Sequence, residues 1–454
     1  MLVFVRMPLI CSQSKTHSFE GPWGWLIVAA SLIINIFLLG FMLSFGVLLP
    51  VLSSEFNESK GKTAWVGSLA TGLLFSMGLP VVQLTALLTC RAISITGCVI
   101  CAVSLVSSSF AKNMTVMFVS YGLLAGIGGG LIIAAIPLII KKYFKTKLPL
   151  AIGLVASGAS VGVMAMGPTL QALIDAFGWR NSLRIMSGVV LCLAVLCLTF
   201  DPNVEQESTQ AEQLNVEEVH VQVRNEKEDF DCSVFANPTY MVGVVGSFLI
   251  FFGMYVPMFH LVRFGQDLGF PSSKTSLLFI YIGICSTVFR VISGQVISRQ
   301  WMRPLQAVQL AAFIMGSAML ALPRVSKYGH LVVFAVVYGI ANGSFAASYT
   351  VFLLTAVKPR QAAMGIGFGF LAPSVAIFAG PPTVGFIADQ LGSYIPAFYM
   401  VGGVIMLPSC LPFVLLCCDR GGRKQASQTQ ESRLELIGTR LANPKDSSLF
   451  INVL

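Results

Sequence analysis

The chain has 454 residues, of which 55% are hydrophobic and only 11% charged, and its formal net charge is +9. Because soluble domains carry about a quarter of their residues as charges, this composition excludes a water-soluble globular protein and predicts a chain that crosses a membrane several times. The basic residues are spread over loops and tails without interleaved aromatic residues, which argues against a nucleic-acid partner.

Apolar runs of about 20 residues, the length that crosses a bilayer, recur along the whole chain. We therefore predict an all-α membrane protein with twelve transmembrane helices in two six-helix halves, at residues 20–200 and 236–418. The predicted spans are 22–45, 63–88, 92–111, 114–140, 149–172, 182–200, 237–261, 274–297, 304–323, 329–356, 362–388 and 394–417.

The only long polar segment between two spans, residues 201–235, separates the sixth and seventh spans. It is rich in Glu and Gln and poor in aromatic residues, which predicts a disordered linker. Two six-helix halves joined by a long polar loop are the major facilitator arrangement, in which substrate binds between the halves. The basic residues near span ends favour a cytoplasmic position for the linker and for the tails 1–19 and 419–454.

Two motifs open the first and fifth spans, "EGPWGWLIVAA" at 20–30 and "YFKTKLPLAIGLVASGASVG" at 143–162. The tryptophans fit an anchor at the membrane interface, with or without a role in transport. The small residues of the second motif let helices approach closely, which suits either moving helices or plain tight packing. The residues that carry these interpretations are Trp23, Gly24, Trp25, Gly153 and Gly158.

These two motifs resemble the signatures of the monocarboxylate transporter family (solute carrier family 16). The C-terminal half resembles the thyroid-hormone and aromatic amino acid branch of that family, in "YVPMFHLV" at 255–262, "FRVISG" at 289–294 and the segment 361–389. The resemblance implies a major facilitator fold, a small carboxylate substrate and a plasma-membrane location. It also implies that an ancillary single-span glycoprotein could accompany the chain.

Arg290, in the eighth span, is the sharpest functional candidate. It lies nine residues before Arg299, which places it ~13 Å from the end of the helix. An arginine at that depth costs ~3 kcal/mol on insertion scales, so it has to face the bundle interior or a wet cavity. We predict that it is the counter-ion of a substrate carboxylate. The alternative is a structural arginine bonded to backbone carbonyls or to a distant acid.

The remaining polar residues of the spans are weaker candidates. Where the resemblance has acids, this chain has Ser286 and Asn342, and it has Leu43 where proton-coupled lactate transporters of the family have a lysine. Proton coupling through that site is therefore not expected. Asn342 could bind substrate or Arg290, or serve as a contact between helices.

His260 and Asn35 complete the set of candidate substrate-binding residues. His260 could contact substrate or titrate near neutral pH, or could be packed at the interface. Asn35 is a candidate for lining the pathway. Asp389, after the eleventh span, is expected to order a loop turn.

The spans hold no paired acids, no metal-spaced His/Cys cluster and no nucleophile with a base, so we predict neither an enzyme nor a cofactor or metal site. The sequence favours a facilitative uniporter or exchanger that works by alternating access. A proton-linked symporter, with the proton carried elsewhere, for example by His260, is the first alternative. A non-transporting sensor or scaffold with a transporter fold is the second.

Overall fold

The computed structural model describes residues 21–85, 87–144, 147–200, 235–357 and 362–410. The two predicted tails and all but the last residue of the predicted linker 201–235 lie outside the described residues. The described chain folds into a bundle of antiparallel helices with one continuous apolar core.

The described residues form twelve helices, α1–α12, which we assign to the twelve predicted spans. The first six are α1 Pro22–Glu55, α2 Lys60–Ser76 with Gly78–Leu84, α3 Cys90–Ser109, α4 Met114–Tyr143, α5 148–177 and α6 179–197. The second six are α7 Pro238–Asp267, α8 Ser272–Ser298, α9 Pro304–Arg324, α10 Tyr328–Thr355, α11 Ala362–Leu391 and α12 Ile395–Cys410.

Length and composition support these crossings. Among the described residues, nine helices are long and apolar enough to span a membrane, and the two pieces of α2, bent by 46°, make a tenth. One of the nine, Leu150–Cys197, lies in a helix that turns at Gly178, whose φ is +75°, and so supplies both α5 and α6. The helix α12 is shorter than the others within the described range. The prediction of an all-α membrane protein is confirmed.

The helix ends differ from the predicted ones where a helix continues through an irregular turn. The first span was predicted to end at residue 45, but the chain turns once at Ser44 and continues as helix to Glu55. The sixth span begins at residue 179 rather than 182 because Gly178 makes the preceding turn in a single left-handed residue, which glycine adopts without steric cost.

The first and second halves meet chiefly along three pairs of helices, α5 with α8, α2 with α11 and α1 with α7. We call the end of the bundle where α6 finishes and α7 begins the linker end, and the other end the loop end. Within the first half, α1 and α5 touch through their backbones, because a Cβ atom added at Gly162 would lie 2.8 Å from Gly40 Cα. Small residues allow this approach in a bundle whose surroundings are apolar.

Candidate functional site

The contact between α5 and α8 holds most of the predicted site residues. On α8, Phe279, Gly283, Ser286 and Arg290 recur at helical spacing and form one face. A Cβ atom added at Gly283 would lie 2.7 Å from the carbonyl oxygen of Ser160, so the two helices touch there. We call this line of contacts the α5–α8 seam.

Arg290 reaches across the seam into the first half. Its Nη1 donates to the carbonyl oxygen of Ala156 on α5 at 2.7 Å. Its Nε is buried and, among the described residues, has no hydrogen-bond partner. No ion pair joins Arg290 to a carboxylate in the described chain. A cation is therefore held in the bundle by a neutral acceptor, which leaves donor capacity for an anion.

One helical turn from Arg290, Ser286 belongs to a chain of three polar side chains. Its hydroxyl donates to Asn342 Oδ1 of α10 at 3.2 Å and lies 3.0 Å from the Ser160 hydroxyl of α5. Because the one hydrogen of Ser286 is used on Asn342, the Ser160 hydroxyl donates to Ser286. All three side chains are buried. The structure therefore brings the predicted Ser286 and Asn342 together and adds Ser160.

Asn35 lies on the other side of α5. Its Nδ2 donates to the carbonyl oxygen of Val155 at 2.9 Å, and its Oδ1 is buried without a hydrogen-bond partner among the described residues. The backbones of α1 and α5 approach closely here, since a Cβ atom added at Gly158 would lie 2.9 Å from Asn35 Cβ. Asn35 joins two helices of the first half, and its role in lining a pathway stays a prediction.

His260 is fully buried, and both of its ring nitrogens are engaged within the second half. Its Nε2 lies 2.8 Å from the carbonyl oxygen of Pro381 and its Nδ1 lies 3.2 Å from the Tyr394 hydroxyl. A carbonyl can only accept, so Nε2 carries the hydrogen and Tyr394 donates to Nδ1 of the neutral ring. In this conformation His260 is packed away from the α5–α8 seam, and a substrate contact would require one of these bonds to break.

The two motifs at the linker end touch each other. The rings of Trp25 and Phe144 meet edge to face with centroids 5.1 Å apart, and a Cβ atom added at Gly24 would lie 3.2 Å from the Phe144 ring. Trp23 is 36% exposed, in keeping with an interfacial position. Trp25 is thus a packing residue between α1 and the end of α4 rather than a free aromatic anchor.

The α5–α8 seam loses contact towards the linker end. Gly153 lies one turn beyond Ala156 on α5, and Gly294 lies one turn beyond Arg290 on α8. A Cβ atom added at either glycine would meet nothing within 4 Å. The prediction that Gly153 allows close helix packing is therefore wrong, since close approach occurs at Gly158 instead. On the α2–α11 side, contact continues through Leu79 and Gly367.

Sequence reasoning missed the Ala156 carbonyl and Ser160, and it gave Asp389 the wrong role. Asp389 does not order a loop turn. It lies in the last turn of α11 and accepts hydrogen bonds from the first backbone amides of α2. A serine within a run of small residues and a backbone carbonyl leave no pattern that would single them out.

Comparison with known proteins identifies the family of this chain. Residues 30–368 match the family model described as Major Facilitator Superfamily. The chain is 28% identical over 458 residues to monocarboxylate transporter 10 of Mus musculus, covering 95% of this chain and 88% of the relative. It is 26% identical over 437 residues to monocarboxylate transporter 3 of Gallus gallus, covering 89% and 80%.

A solved structure shares the fold at low sequence identity. The crystal structure of a POT family transporter in complex with 5-aminolevulinic acid superposes with a TM-score of 0.68 at 12% identity, covering 87% of this chain and 97% of that one. The predictions of a transporter rather than an enzyme, and of a relationship to monocarboxylate transporters, are confirmed. The chain belongs to the Major Facilitator Superfamily and is a multi-pass membrane transporter.

Proposed function

We propose that the protein moves small monocarboxylates, or amino acids through their carboxylate group, by alternating access as a uniporter or exchanger. The observation that carries this proposal is the bonding of Arg290, which in the described chain is matched by the neutral Ala156 carbonyl and by no carboxylate. A guanidinium offers a planar pair of donors that fits a carboxylate, and in a site of low dielectric such a charge-assisted pair is strong.

Substrate binding at Arg290 would act directly on the contact between the halves. A carboxylate is a stronger acceptor than a carbonyl and would compete for the Nη1 hydrogen bond that now crosses to Ala156. Loss of that bond loosens the α5–α8 seam at the place where the seam already opens towards the linker end. In this way the same side chain would recognise the anion and release the helix of the opposite half.

Aromatic side chains line the neighbourhood of Arg290. Tyr255 of α7 belongs to this neighbourhood. Its ring stacks on Phe75 of α2 at 5.9 Å, so the two halves meet through these aromatic side chains as well. A carboxylate on Arg290 would leave the rest of the substrate beside an apolar, aromatic wall, which favours organic acids with an apolar body.

The distribution of acids favours uniport or exchange. In the described residues every acidic side chain lies at the loop end, and the set is Glu55, Glu58, Asp175, Asp267 and Asp389. A proton carrier near Arg290 is thus missing from the described helices. Proton-linked symport through His260 remains the alternative. It would require His260 to exchange its bond with Tyr394 or Pro381 during the cycle.

Two further assignments belong to this proposal. The relatives support a plasma-membrane location, and the basic residues favour a cytoplasmic linker end, with both termini on that side. An ancillary single-span glycoprotein as a partner rests on the family resemblance. Antibody access to epitope tags at both termini, measured with and without permeabilisation, tests the orientation. Co-purification of a glycoprotein from surface-labelled cells tests the partner.

The central experiment is uptake of labelled lactate, pyruvate and aromatic amino acids into cells, with and without an imposed pH gradient. Arg290→Ala should abolish uptake of every carboxylate. Arg299→Ala is the matched control and should retain uptake, since Arg299 lies nine residues further, directly after the end of α8, where it stacks on Trp301. Uptake that survives Arg290→Ala rejects the counter-ion role. Flux that follows the pH gradient favours symport, and surface expression without any flux favours the sensor.

A further inference from the structure

The first turn of α2 is capped by a carboxylate from the opposite half. Asp389, in the last turn of α11, accepts from the Lys60 amide through Oδ1 at 3.0 Å and from the Gly61 amide through Oδ2 at 2.8 Å. The Lys62 amide is capped locally by the Ser59 hydroxyl. The first amides of a helix have no intrahelical acceptor, so α2 takes two of its caps from across the interface.

Close backbone contact and a second ionic contact surround this cap. A Cβ atom added at Gly385 would lie 2.7 Å from Gly61 Cα, so α2 and α11 touch without side chains between them. The Lys60 ammonium pairs with Asp267 of α7 at 3.2 Å and lies 4.7 Å from the centre of the Tyr394 ring. Lys60 therefore binds the second half through its side chain, while its backbone amide is bound by Asp389.

An internal repeat places a second aspartate at the equivalent position of the first half. The end of α5, "PTLQALIDAFG" at 168–178, aligns without a gap to the end of α11, "PTVGFIADQLG" at 382–392. Asp175 takes the place of Asp389, and the closing glycines Gly178 and Gly392 both have positive φ, at +75° and +65°. The two segments are thus equivalent ends of the two helices that face the opposite half.

The two copies differ in what their aspartates bind. Where α11 has Gly385, α5 has Gln171, whose Nε2 donates to Asp175 at 2.8 Å. The aspartate of the first half thus accepts from its own helix. The glycine of the second half removes that donor and lets α2 come into backbone contact. The exchange of one residue between the repeats converts a local hydrogen bond into a link between the halves.

We propose that the Asp389 cap on α2 is a latch that holds the two halves together at the loop end and breaks once in every transport cycle. Opening of this end separates α2 from α11, exposes the Lys60 and Gly61 amides to water and leaves the Asp389 carboxylate solvated. Within the described residues, Asp175 makes no equivalent cap on α8, so the two sides of the loop end are unequal in strength. The inference rests on transport by alternating access, but its test requires no substrate.

Ser68 is a suitable reporter for opening. It is fully buried and lies on the same stripe of α2 as Gly61 and Gly72, both of which face α11. The full-length Ser68→Cys protein is labelled with a membrane-impermeant maleimide in intact cells and in inverted vesicles, so that both membrane faces are sampled. The parent protein without the reporter gives the background from native cysteines.

The variants Asp389→Ala and Asp389→Asn are introduced into the reporter protein. Asp389→Ala removes two hydrogen bonds to a charged acceptor and should raise the labelling rate about tenfold from the face that carries the loop end. Asp389→Asn, which keeps one acceptor, should give a smaller rise. Asp175→Ala is the matched control, because it removes the repeat-equivalent carboxylate at the same end and should leave the rate unchanged.

The latch is rejected if Asp389→Ala labels at the parent rate, or if Asp175→Ala raises labelling as much. If Asp389→Ala fails to reach the membrane, Gly385→Gln is tested instead by the labelling rate of the Ser68→Cys reporter. It places the residue of the first repeat against the Gly61 backbone and should open the reporter to labelling. An unchanged rate in Gly385→Gln likewise contradicts the proposal.

Discussion

The Ser160 hydroxyl of α5 and the Ser286 hydroxyl of α8 lie 3.0 Å apart, and the two form one of the hydrogen bonds between the halves of the transporter. The donor is Ser160, because the Ser286 hydrogen is directed to Asn342. A bond between two neutral hydroxyls contributes only about 1 kcal/mol, so it holds the seam without locking it. Breaking this hydrogen bond costs little free energy when α5 and α8 separate.

Replacement of Ser286 by aspartate should weaken the binding of a substrate carboxylate at Arg290. The new carboxylate would lie one helical turn from Arg290 and pair with it, so it would compete with a substrate carboxylate for the same guanidinium. An ion pair worth about 1.4 kcal/mol would lower uptake about tenfold at neutral pH. Uptake should recover in part as the pH falls, because protonation of the aspartate frees Arg290.

The control for this experiment is Ser286→Asn, which is close in size to aspartate but neutral. We expect it to lower uptake less and to show no recovery at acidic pH. Radiolabelled uptake measured at several external pH values, normalised to surface expression, separates the two variants. Equal, pH-independent losses in both would show that the charge is irrelevant and that size alone matters.

Two glycines of the fifth span should differ sharply in tolerance. A methyl group at Gly158 would press against Asn35 Cβ and the Leu32 carbonyl at 2.9 Å, so Gly158→Ala should destabilise the protein by about 1–3 kcal/mol. Gly153→Ala places its methyl in open space and should be neutral. Thermal unfolding of the purified variants in one detergent measures the difference. Equal melting temperatures would contradict the packing described for α1 and α5.

Tyr394→Phe tests the environment of His260. The variant removes the hydroxyl that donates to Nδ1 and leaves a buried acceptor unsatisfied, at a cost of about 1–3 kcal/mol. We expect a lower melting temperature and an unchanged dependence of uptake on pH, because the histidine is a packed residue in this conformation. A variant whose uptake loses its response to an imposed pH gradient would instead support His260 as the proton carrier.

Arg290→Lys separates geometry from charge. Lysine keeps the positive charge but presents a single ammonium in place of the planar pair of donors, so a bidentate contact with a carboxylate is lost. Uptake should fall at least about tenfold, chiefly through a higher KM, while surface expression is retained. Concentration-dependent uptake provides the measurement. An unaltered KM would mean that Arg290 acts as a point charge or only as a structural residue.

The sequence was sufficient for the apolar helices and for singling out Arg290 as a candidate, because span length and a charge within an apolar span are local signals. It did not reveal the partners of that arginine. The Ala156 carbonyl belongs to a distant helix, and nothing in a run of small residues distinguishes Ser160. Contacts of this kind depend on how two helices far apart in the chain are placed together, which no local pattern encodes.

The role of Asp389 was indicated in the sequence, but only a comparison between the two halves of the chain reveals it. Taken alone, an aspartate at the end of an apolar span resembles a turn residue. Its alignment with Asp175 shows that it belongs to a repeat, and the exchange of Gln171 for Gly385 marks the copy that differs. The acceptors that it provides to α2 could still not be predicted, because helix caps are normally supplied by neighbouring residues.

The edge-to-face contact between Trp25 and Phe144 has a consequence for protein engineering. Each residue belongs to a different sequence motif, yet the two rings share one interface, so the motifs form a single module. A chimaera that takes only its first helix from a relative would combine a tryptophan from the relative with Phe144 of this chain, and the two rings would not have been selected to pack together. Exchanges between relatives should therefore transfer the first helix together with the junction between the fourth and fifth helices.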